Sequence, residues 1–281
     1  MIVTVLHPGE MGISVAAAAV QSGHKVLWVS EGRSKETKQR AESQKLEDIS
    51  SLSRIVDSEI VISVCPPQSA FQIAEAVAET GFTGLYLDAN AASPESKISI
   101  AQMLKSKNID LVDGGIIGLP AHSPNSTRLY VSGPRCGEIK KLFLEGLLGF
   151  CELGDEVGQA AALKMAYGAW TKGSSALILA VRAMARSSGV ESALIDEWKL
   201  SQPNAEEKTL LSASLNSPKA WRFVYEMQEI SKTFKSENIP NTFWDAAGEV
   251  YERLESFKNL SPDEANIDLV IQKLIESGDN I

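Results

Sequence analysis

Residues 2–22 read IVTVLHPGEMGISVAAAAVQS, and this stretch decides the fold. Residues 2–6 form an apolar run rich in β-branched side chains, which predicts a buried strand. Pro8 and Gly9 then interrupt the strand, and the alanine-rich segment 12–22 predicts a helix that ends before Gly23. Small residues at this turn leave the first backbone N–H groups of the helix accessible, and such groups attract anions. The stretch therefore predicts a strand–turn–helix unit with an anion site at the turn.

The alternation of strands and helices continues along the chain as far as residue 132. Strands that alternate with helices indicate an α/β fold with a parallel, doubly wound sheet. Right-handed crossovers then bring the carboxyl ends of the strands to one edge of the sheet, where ligands bind in such folds. The further predicted strands are 24–29, 59–64, 85–88, 109–113 and 127–132, and the further predicted helices are 34–44, 68–80 and 93–106.

The pattern changes near residue 155. Residues 158–187 are small and apolar with sparse charge, and they predict one helix of about 30 residues. The chain after this helix also has helical character, with prolines as punctuation. We therefore expect a sheet domain in residues 1–155 and an all-helical domain in residues 156–281.

The turn after the first strand is similar to the fingerprint of dinucleotide-binding Rossmann domains. That fingerprint, G-x-G-x-x-G, places glycines where a pyrophosphate approaches the N-terminus of a helix. Gly9 and Gly12 fill its second and third positions, whereas His7 stands where the first glycine usually makes the tight turn. We expect Gly9, Glu10, Met11 and Gly12 to contact a cofactor. The alternative is an ordinary strand-to-helix turn that contains two glycines.

The end of the second predicted strand bears on the choice of cofactor. NAD enzymes usually place an acidic residue there to bind the ribose 2′-hydroxyl, and NADP enzymes need cationic and hydroxyl donors for the 2′-phosphate. Ser30, Arg33 and Ser34 supply such donors, which favours NADP. Glu31 is the contrary residue, and it keeps NAD as the alternative.

Further motifs, in their order along the chain, resemble the β-hydroxyacid dehydrogenase superfamily, which includes 3-hydroxyisobutyrate and 6-phosphogluconate dehydrogenases. The resemblance covers residues 1–190 approximately. Residues 221–230 resemble a C-terminal helical domain of a 6-phosphogluconate-dehydrogenase-like branch of unassigned activity. The motifs after the first turn are VISVCPP at 61–67, DANAASP at 88–94, DGGIIG at 113–118 and GQAAALK at 158–164.

Lys164 is the candidate catalytic residue. It stands among small and apolar residues, and a buried ammonium is costly without partners. In the resembled superfamily this lysine assists proton transfer at the substrate hydroxyl while a hydride moves to or from the nicotinamide. Tyr167, where the phosphogluconate enzymes carry histidine, either offers a hydroxyl to the substrate or simply packs. The alternative for Lys164 is a solvated helix face, which we expect for Lys172.

The substrate pocket departs from the pattern of the superfamily. The usual Ser-Gly-Gly is Ile117-Gly118-Leu119 here, and Ser-Thr is Asn90-Ala91, so the pocket has lost hydroxyls and gained apolar surface. This puts a standard small hydroxyacid substrate, and 6-phosphogluconate, in doubt. The resemblance implies a catalytic and cofactor role for Asn90, cofactor contacts at Cys65, Pro66 and Pro67, and substrate contacts at Gly115, Ile117 and Gly118.

Three functions fit these observations. The first is an NADP-dependent oxidoreductase that acts on a hydroxyl or carbonyl compound with Lys164 as acid/base. The second is an imine reductase on the same architecture, although imine reductases generally replace this lysine. The third is a non-catalytic NADPH-binding protein, which the lost hydroxyls suggest. The sequence names neither the substrate nor the physiological direction of the reaction.

Composition excludes several classes of function. The net charge of −9 argues against a nucleic-acid-binding protein, which needs a basic surface. Apolar runs are too short for a membrane span, and the N-terminus has no leader-like pattern, so we expect a cytoplasmic protein. Scattered cysteines and histidines predict no metal site, although His122 is a candidate for lining the substrate pocket. We expect a homodimer through the helical domain, because subunits of the resembled superfamily pair there.

Overall fold

The computed structural model describes residues 1–121 and 123–276, so His122 lies outside the described residues. The chain forms two compact units, Met1–Met165 and Ala166–Ile281. The first unit is built around a sheet, and the second is helical in the described residues.

The described residues form one eight-stranded sheet, with the order β3-β2-β1-β4-β5-β6-β7-β8. The first six strands of the chain, β1 to β6, pair in parallel, as predicted, and this confirms the doubly wound α/β fold. The strands are β1 (Ile2–Val5), β2 (Lys25–Trp28), β3 (Glu47–Asp48), β4 (Ile60–Ser63), β5 (Leu85–Asp88), β6 (Asp110–Ile117), β7 (Thr127–Ser132) and β8 (Leu148–Gly154).

β7 departs from the parallel arrangement of the sheet, because it runs antiparallel to β6. The connection, residues 118–126, is shorter than the dozen or so residues that a parallel crossover needs. β8 then pairs parallel to β7. Sequence patterns missed β3 and β8. β3 has only two residues, both charged, and β8 contains two glycines, which weaken the strand signal.

Helices cover both faces of the sheet. Successive strand residues point alternately to one face and to the other, so one strand can contribute to a hydrophobic cluster on each face. Val3 and Val5 of β1 lie in the hydrophobic cluster that contains residues of the first helix. Val61 of β4 and Tyr86 of β5 point the other way, into a second cluster. The helices of the first unit are α1 (Glu10–Gln21), α2 (Lys35–Ser43), α3 (Ala70–Ala78), α4 (Pro94–Lys105) and α5 (Cys136–Lys140).

The predicted long helix at 158–187 is helical but not uniform. It consists of α6 (Gln159–Gly168), a π-helical segment at Ala169–Gly173 and α7 (Ser174–Ser187). Gly173 lies against the ring of Trp244, where a side chain would not fit. The remaining helices are α8 (Glu191–Ser201), α9 (Ala205–Leu211), α10 (Ala220–Ser236), α11 (Thr242–Arg253) and α12 (Ile267–Glu276), with a second π-helical segment at Ser212–Asn216.

The two glycines of the first turn have different physical roles. A Cβ atom on Gly12 would overlap the carbonyl oxygen of His7, so glycine is needed for α1 to pack against the end of β1. A Cβ atom on Gly9 would meet nothing within 4 Å. Gly9 also has an ordinary φ of −69°, so its backbone does not require glycine.

We therefore expect Gly12→Ala to lower the free energy of unfolding by about 1–3 kcal/mol, because the backbone must shift to remove the overlap. Gly9→Ala is the matched control, and its cost at a helix N-cap is expected to stay below about 1 kcal/mol. Urea unfolding followed by circular dichroism measures both. Equal stability of the two variants would contradict the packing role of Gly12.

Candidate functional site

The predicted cofactor residues follow parallel strands at one edge of the sheet. The loops after β1, β2, β4 and β5 carry them, and all four strands end at this edge. Side chains from three of these loops interact electrostatically. The charge of Arg33 adds to the burial that lowers the pKa of His7, and it partly opposes the burial that raises the pKa of Cys65. A hydrogen bond connects the fourth loop, since the Cys65 N–H donates to Asn90 Oδ1 at 2.6 Å. The structure thus brings these predicted residues into one neighbourhood.

The N-terminus of α1 is suited to an anionic group. Gly9 is its N-cap residue, and no side chain makes a capping hydrogen bond there. The first helical residues are Glu10, Met11 and Gly12, whose backbone N–H groups belong to the unsatisfied first turn of the helix. Because Gly9 has no side chain and open space beside it, a ligand can approach these N–H groups closely.

His7 occupies the position of the missing first glycine. Burial, followed by the positive charge of Arg33, lowers the pKa of His7 from 6.5 to about 4. The imidazole is therefore neutral at neutral pH. Among the described residues its Nδ1 atom is buried without a hydrogen-bond partner. The side chain adds no charge to the turn, which leaves Arg33 as the local cation.

Arg33 lies near the end of the segment 29–34, which leads from β2 into α2. Burial of its guanidinium lowers its pKa, with an opposing effect from Cys65. No carboxylate pairs with this guanidinium among the described residues. Ser34 caps α2, because its Oγ accepts a hydrogen bond from the Thr37 N–H at 3.3 Å. Ser30 and Glu31 lie on the same loop, and Glu31 is exposed.

Asn90 is used to hold the Cys65-Pro66-Pro67 loop. Its Oδ1 accepts from the Cys65 N–H, and its Nδ2 donates to Ser63 Oγ at 3.2 Å. Asn90 is 2% exposed, so most of its side chain is committed to these contacts. Burial raises the pKa of Cys65 to about 12, and the thiol is therefore protonated and a poor nucleophile at neutral pH.

A buried group of three charges lies below this loop, and sequence patterns missed its central member. Lys97 of α4 is fully buried between Asp88 at the end of β5 and Asp113 in β6, which are also fully buried. Lys97 Nζ lies 2.6 Å from Asp88 Oδ1 and 3.4 Å from Asp113 Oδ1. Burial lowers the pKa of Lys97, but the two carboxylates outweigh burial and raise it above its ordinary value. The available signal was the pair of aspartates within apolar strands, which need a buried cation.

Asp113 also holds the N-terminus of α6. Its Oδ2 accepts hydrogen bonds from the backbone N–H of Gly158 at 3.0 Å and of Ala161 at 2.9 Å. Ser132 of β7 adds a third bond, because its Oγ accepts from the Ala160 N–H at 3.0 Å. Ser132 Oγ also lies 3.2 Å from Asp113 Oδ2, to which it donates. The first turn of α6 is therefore fixed to two strands of the sheet.

Lys164 lies at the carboxyl end of β6. Its Nζ donates to the carbonyl oxygen of Ile116 at 2.7 Å, and the side chain is partly buried. This end of β6 is at the same edge as the cofactor loops, because β6 is parallel to β5. The contact places the ammonium against the sheet.

The predicted substrate residues of β6 have distinct surroundings. A Cβ atom on Gly115 would lie 2.7 Å from Ala160 O and 3.2 Å from Lys164 Cβ, so this glycine allows α6 to pack closely on the strand. Ile117 is 4% exposed, which leaves little side chain for contact with a ligand. Gly118 has a φ of +124°, in the region that favours glycine.

Tyr167 and Lys172 belong to the second unit. Tyr167 is 43% exposed, and its carbonyl oxygen accepts from Thr171 Oγ1 at 2.9 Å. The expectation that Lys172 lies on a solvated face is wrong. Its Nζ lies 2.9 Å from Glu226 Oε2, with both side chains largely buried, and 5.2 Å from the centre of the Phe223 ring. The charge of Glu226 compensates the ammonium, which explains how an apolar helix face accommodates it.

Two kinds of site are absent from the part of the chain that the structure describes. No group of three or more histidine, cysteine, aspartate or glutamate residues could hold a metal ion there. No helix of the described residues is long and apolar enough to cross a membrane.

Sequence comparisons match parts of the chain. A family model described as a domain of unknown function, DUF1932, matches residues 185–254. An uncharacterized 28.5 kDa protein from Methanothermus fervidus is 31% identical over 167 residues, which are 59% of this chain. The chain spans 62% of the length of that relative.

Comparisons with solved structures cover nearly the whole chain. A conserved protein of unknown function, described as structurally similar to 3-hydroxyacid dehydrogenases, has a TM-score of 0.68 and 24% identity over 92% of this chain and 98% of its own. A 3-hydroxyisobutyrate dehydrogenase from Salmonella typhimurium has a TM-score of 0.71 and 13% identity, and the match covers 96% of this chain and 99% of that protein. An imine reductase from Myxococcus stipitatus, solved with NADP⁺, has a TM-score of 0.56 and 18% identity over 98% and 100%.

These similarities concern the fold, because the identities with the solved structures are low. They agree with the resemblance that the ordered motifs indicated. The chain has the fold of the hydroxyacid dehydrogenases and imine reductases, and its resemblance to the β-hydroxyacid dehydrogenase superfamily is confirmed at that level.

Proposed function

We propose that the protein is an NADP-dependent oxidoreductase that acts on a hydroxyl or carbonyl compound, with Lys164 as its acid/base. The observation that carries this proposal is the position of Lys164. Its ammonium is held against Ile116 O at the carboxyl end of β6, the edge where the loops of the dinucleotide fingerprint also lie. This edge is where doubly wound folds bind their ligands.

Several groups of the first unit support the binding of a dinucleotide. Gly9 to Gly12 would present the N-terminus of α1 to the pyrophosphate, and a hydrogen bond to Asn90 holds the Cys65-Pro66-Pro67 loop. Arg33 supports NADP over NAD, because it is a cation without a carboxylate partner among the described residues. A bound nicotinamide would supply or accept the hydride, as it does in oxidoreductases generally.

Lys164 would move the proton that balances the hydride. In reduction of a carbonyl, the ammonium donates a proton to the substrate oxygen as the hydride reaches carbon, and a neutral amine remains. In oxidation the amine accepts the hydroxyl proton. The hydrogen bond to Ile116 O orients Nζ for either direction, because a carbonyl oxygen accepts from both the ammonium and the amine.

The substrate is proposed to be more apolar than a small hydroxyacid. The positions that carry hydroxyls in the superfamily are Asn90 and Ile117 here. Asn90 is committed to Cys65 and Ser63, and Ile117 is buried in the sheet. Gly118 leaves its backbone exposed at the end of β6 and remains a candidate for polar contact.

The retained lysine separates this function from its alternatives. Dehydrogenases and imine reductases share the fold, so the fold does not choose between them. Lys164 favours a hydroxyl or carbonyl substrate over an imine, and its engagement at the ligand-binding edge favours catalysis over simple binding of NADPH. Tyr167 remains a proposed contributor, because its side chain is 43% exposed in the second unit.

We also propose a homodimer formed through the second unit. Trp170, Leu177 and Met184 recur every seven residues on the helical segment, and they are 74%, 48% and 59% exposed. Leu177 and Met184 lie on one face of α7, because residues seven apart nearly coincide around an α-helix, and Trp170 stands in the π-helical segment before it. Large apolar residues that are exposed together mark an interface, and we call these three the apolar stripe. A second copy of the chain would cover this stripe.

Replacement of Arg33 tests the choice of cofactor. Arg33→Ala is expected to raise the Kd of NADPH about tenfold to a hundredfold, because one or two charge-assisted hydrogen bonds to the 2′-phosphate are lost. The Kd of NADH is expected to change by less than about threefold. Isothermal titration calorimetry measures both. Arg54→Ala changes an exposed arginine in the connection between β3 and β4, outside the four loops that carry the predicted cofactor residues, and is the control. Equal losses for the two nucleotides would rule out recognition of the 2′-phosphate by Arg33.

Replacement of Lys164 tests the chemistry. The wild-type protein is screened with NADPH against β-hydroxyacids, aldehydes, ketones and cyclic imines. Lys164→Ala is expected to lower kcat about 10²–10⁴-fold, the usual contribution of a general acid/base, while the Kd of NADPH stays within about threefold. The exposed Lys140→Ala is the control. Undiminished turnover in Lys164→Ala refutes the assignment, and tight NADPH binding without any turnover supports a non-catalytic protein.

Light scattering tests the dimer. We expect a molar mass of about twice that of one chain, because the apolar stripe favours a second copy. Trp170→Glu combined with Leu177→Glu is expected to produce the monomer mass. Leu144→Glu changes an equally exposed leucine of the first unit and is expected to leave the dimer intact. A wild-type monomer at micromolar concentration would show the proposal to be wrong.

A further inference from the structure

The buried charges of Lys97, Asp88 and Asp113 are more than a packing detail. All three side chains are fully buried, so each charge has lost its hydration. Two carboxylates face one ammonium, and burying such a group is expensive unless geometry is well satisfied. Stability alone therefore does not explain why these charges are buried here. The hydrogen bonds that Asp113 Oδ2 accepts suggest a structural role.

Asp113 uses its two oxygens on different partners. Oδ1 lies 3.4 Å from Lys97 Nζ, and Oδ2 accepts from the Gly158 and Ala161 backbone N–H groups and from Ser132 Oγ. A carboxylate at the first turn of a helix also interacts favourably with the positive end of the helix dipole. Lys97 offsets the charge of the carboxylate on one side, while α6 binds it on the other.

Lys164 is one turn along the helix from this attachment. Ala161 precedes Lys164 by three residues, and α-helical geometry makes that axial distance about 4.5 Å. Gly115 allows α6 to approach the strand, since a Cβ atom there would lie 3.2 Å from Lys164 Cβ. The distance from Lys164 Nζ to Ile116 O, 2.7 Å, therefore depends on how the first turn of α6 is held.

The Lys97 ammonium also binds Asp88, which leads into the loop that carries Asn90. Lys97 Nζ donates to Asp88 Oδ1 and to Asp88 O, both at 2.6 Å. Asp88 Oδ1 accepts from the Asn90 N–H at 3.0 Å, and Asn90 holds Cys65. One buried ammonium thus connects the loop that carries Cys65 with the helix that carries Lys164.

We propose that Asp113, with its charge offset by Lys97, is a positioning residue that sets the location of the Lys164 ammonium by capping α6. The effect of this positioning on turnover rests on the proposed function. The effect on the contact between Lys164 and Ile116 is independent of that function, and it can be measured without a substrate.

The direct test is the rate at which an acetylating reagent modifies Lys164 in the full-length protein, read by mass spectrometry of peptides. Asp113→Ala is expected to increase the rate at least about fivefold relative to Lys172, because release of α6 costs Lys164 its hydrogen bond. Asp113→Asn retains an oxygen that accepts from α6, and its rate is expected to stay within about twofold of wild type. Asp110→Asn, an ion-paired aspartate of the same strand that does not contact α6, is the control.

The outcomes are distinct. An unchanged rate in Asp113→Ala, or a rate in Asp110→Asn that rises as much, overturns the positioning role. If Asp113→Ala does not fold, Ser132→Ala decides, because it removes the acceptor of the Ala160 N–H and is expected to raise the rate at least about twofold. An unchanged rate in a folded Ser132→Ala then overturns the proposal.

Turnover provides the second measurement on any substrate that the screen identifies. Asp113→Ala is expected to lower kcat at least about tenfold with the Kd of NADPH within about threefold, and Asp113→Asn to restore most of kcat. Faster acetylation with unchanged kcat overturns the role in catalysis. If Lys164→Ala itself keeps full turnover, the proposed function fails, and the acetylation rates alone decide the positioning of Lys164.

Discussion

The ion pair between Lys97 and Asp88, extended to Asp113, is the interaction on which the candidate site depends. Each group alone would be costly in the interior, because a buried charge has lost its hydration. Together they join α4 to the ends of two neighbouring parallel strands, with distances of 2.6 and 3.4 Å from the ammonium to the two carboxylates. Removal of one partner would leave an uncompensated buried charge, so the three groups are constrained as a unit.

Close backbone packing is the second constraint. Gly12 allows α1 to pass beside the carbonyl oxygen of His7, and Gly115 allows α6 to lie against β6. Both glycines are therefore needed for the space they leave rather than for unusual backbone angles, since neither has a positive φ. Gly9 differs, because the space beside it is open and faces the unsatisfied N–H groups of α1. Two helices that bear on the candidate chemistry are thus placed by the absence of a Cβ atom.

The two units show different ways of accommodating charge. In the first, ionised groups are buried around the candidate site, where they fix loops and a helix. In the second, Lys172 pairs with Glu226, and Arg182 and Arg186 share Glu191 at 2.7 and 2.5 Å, which fastens α7 to α8. The apolar stripe of Trp170, Leu177 and Met184 in the same unit stays exposed. These charged groups of the second unit thus find their partners within it, whereas the residues of the apolar stripe remain uncovered.

Local patterns were sufficient to predict the doubly wound fold, the first turn and the helical second part. Each of these depends on residues close in sequence, such as the apolar run of β1 followed by Gly9 and Gly12. Ordered motifs also indicated Lys164 and the loops after β4 and β5. Only the tertiary structure decided that β7 is antiparallel, that Lys172 is paired, and that Asn90 is spent on Cys65. Only the tertiary structure also revealed that Lys97 is a buried, ion-paired residue. The partners of Lys97 come from separate strands, and no local pattern specifies which distant carboxylates a helical lysine will meet.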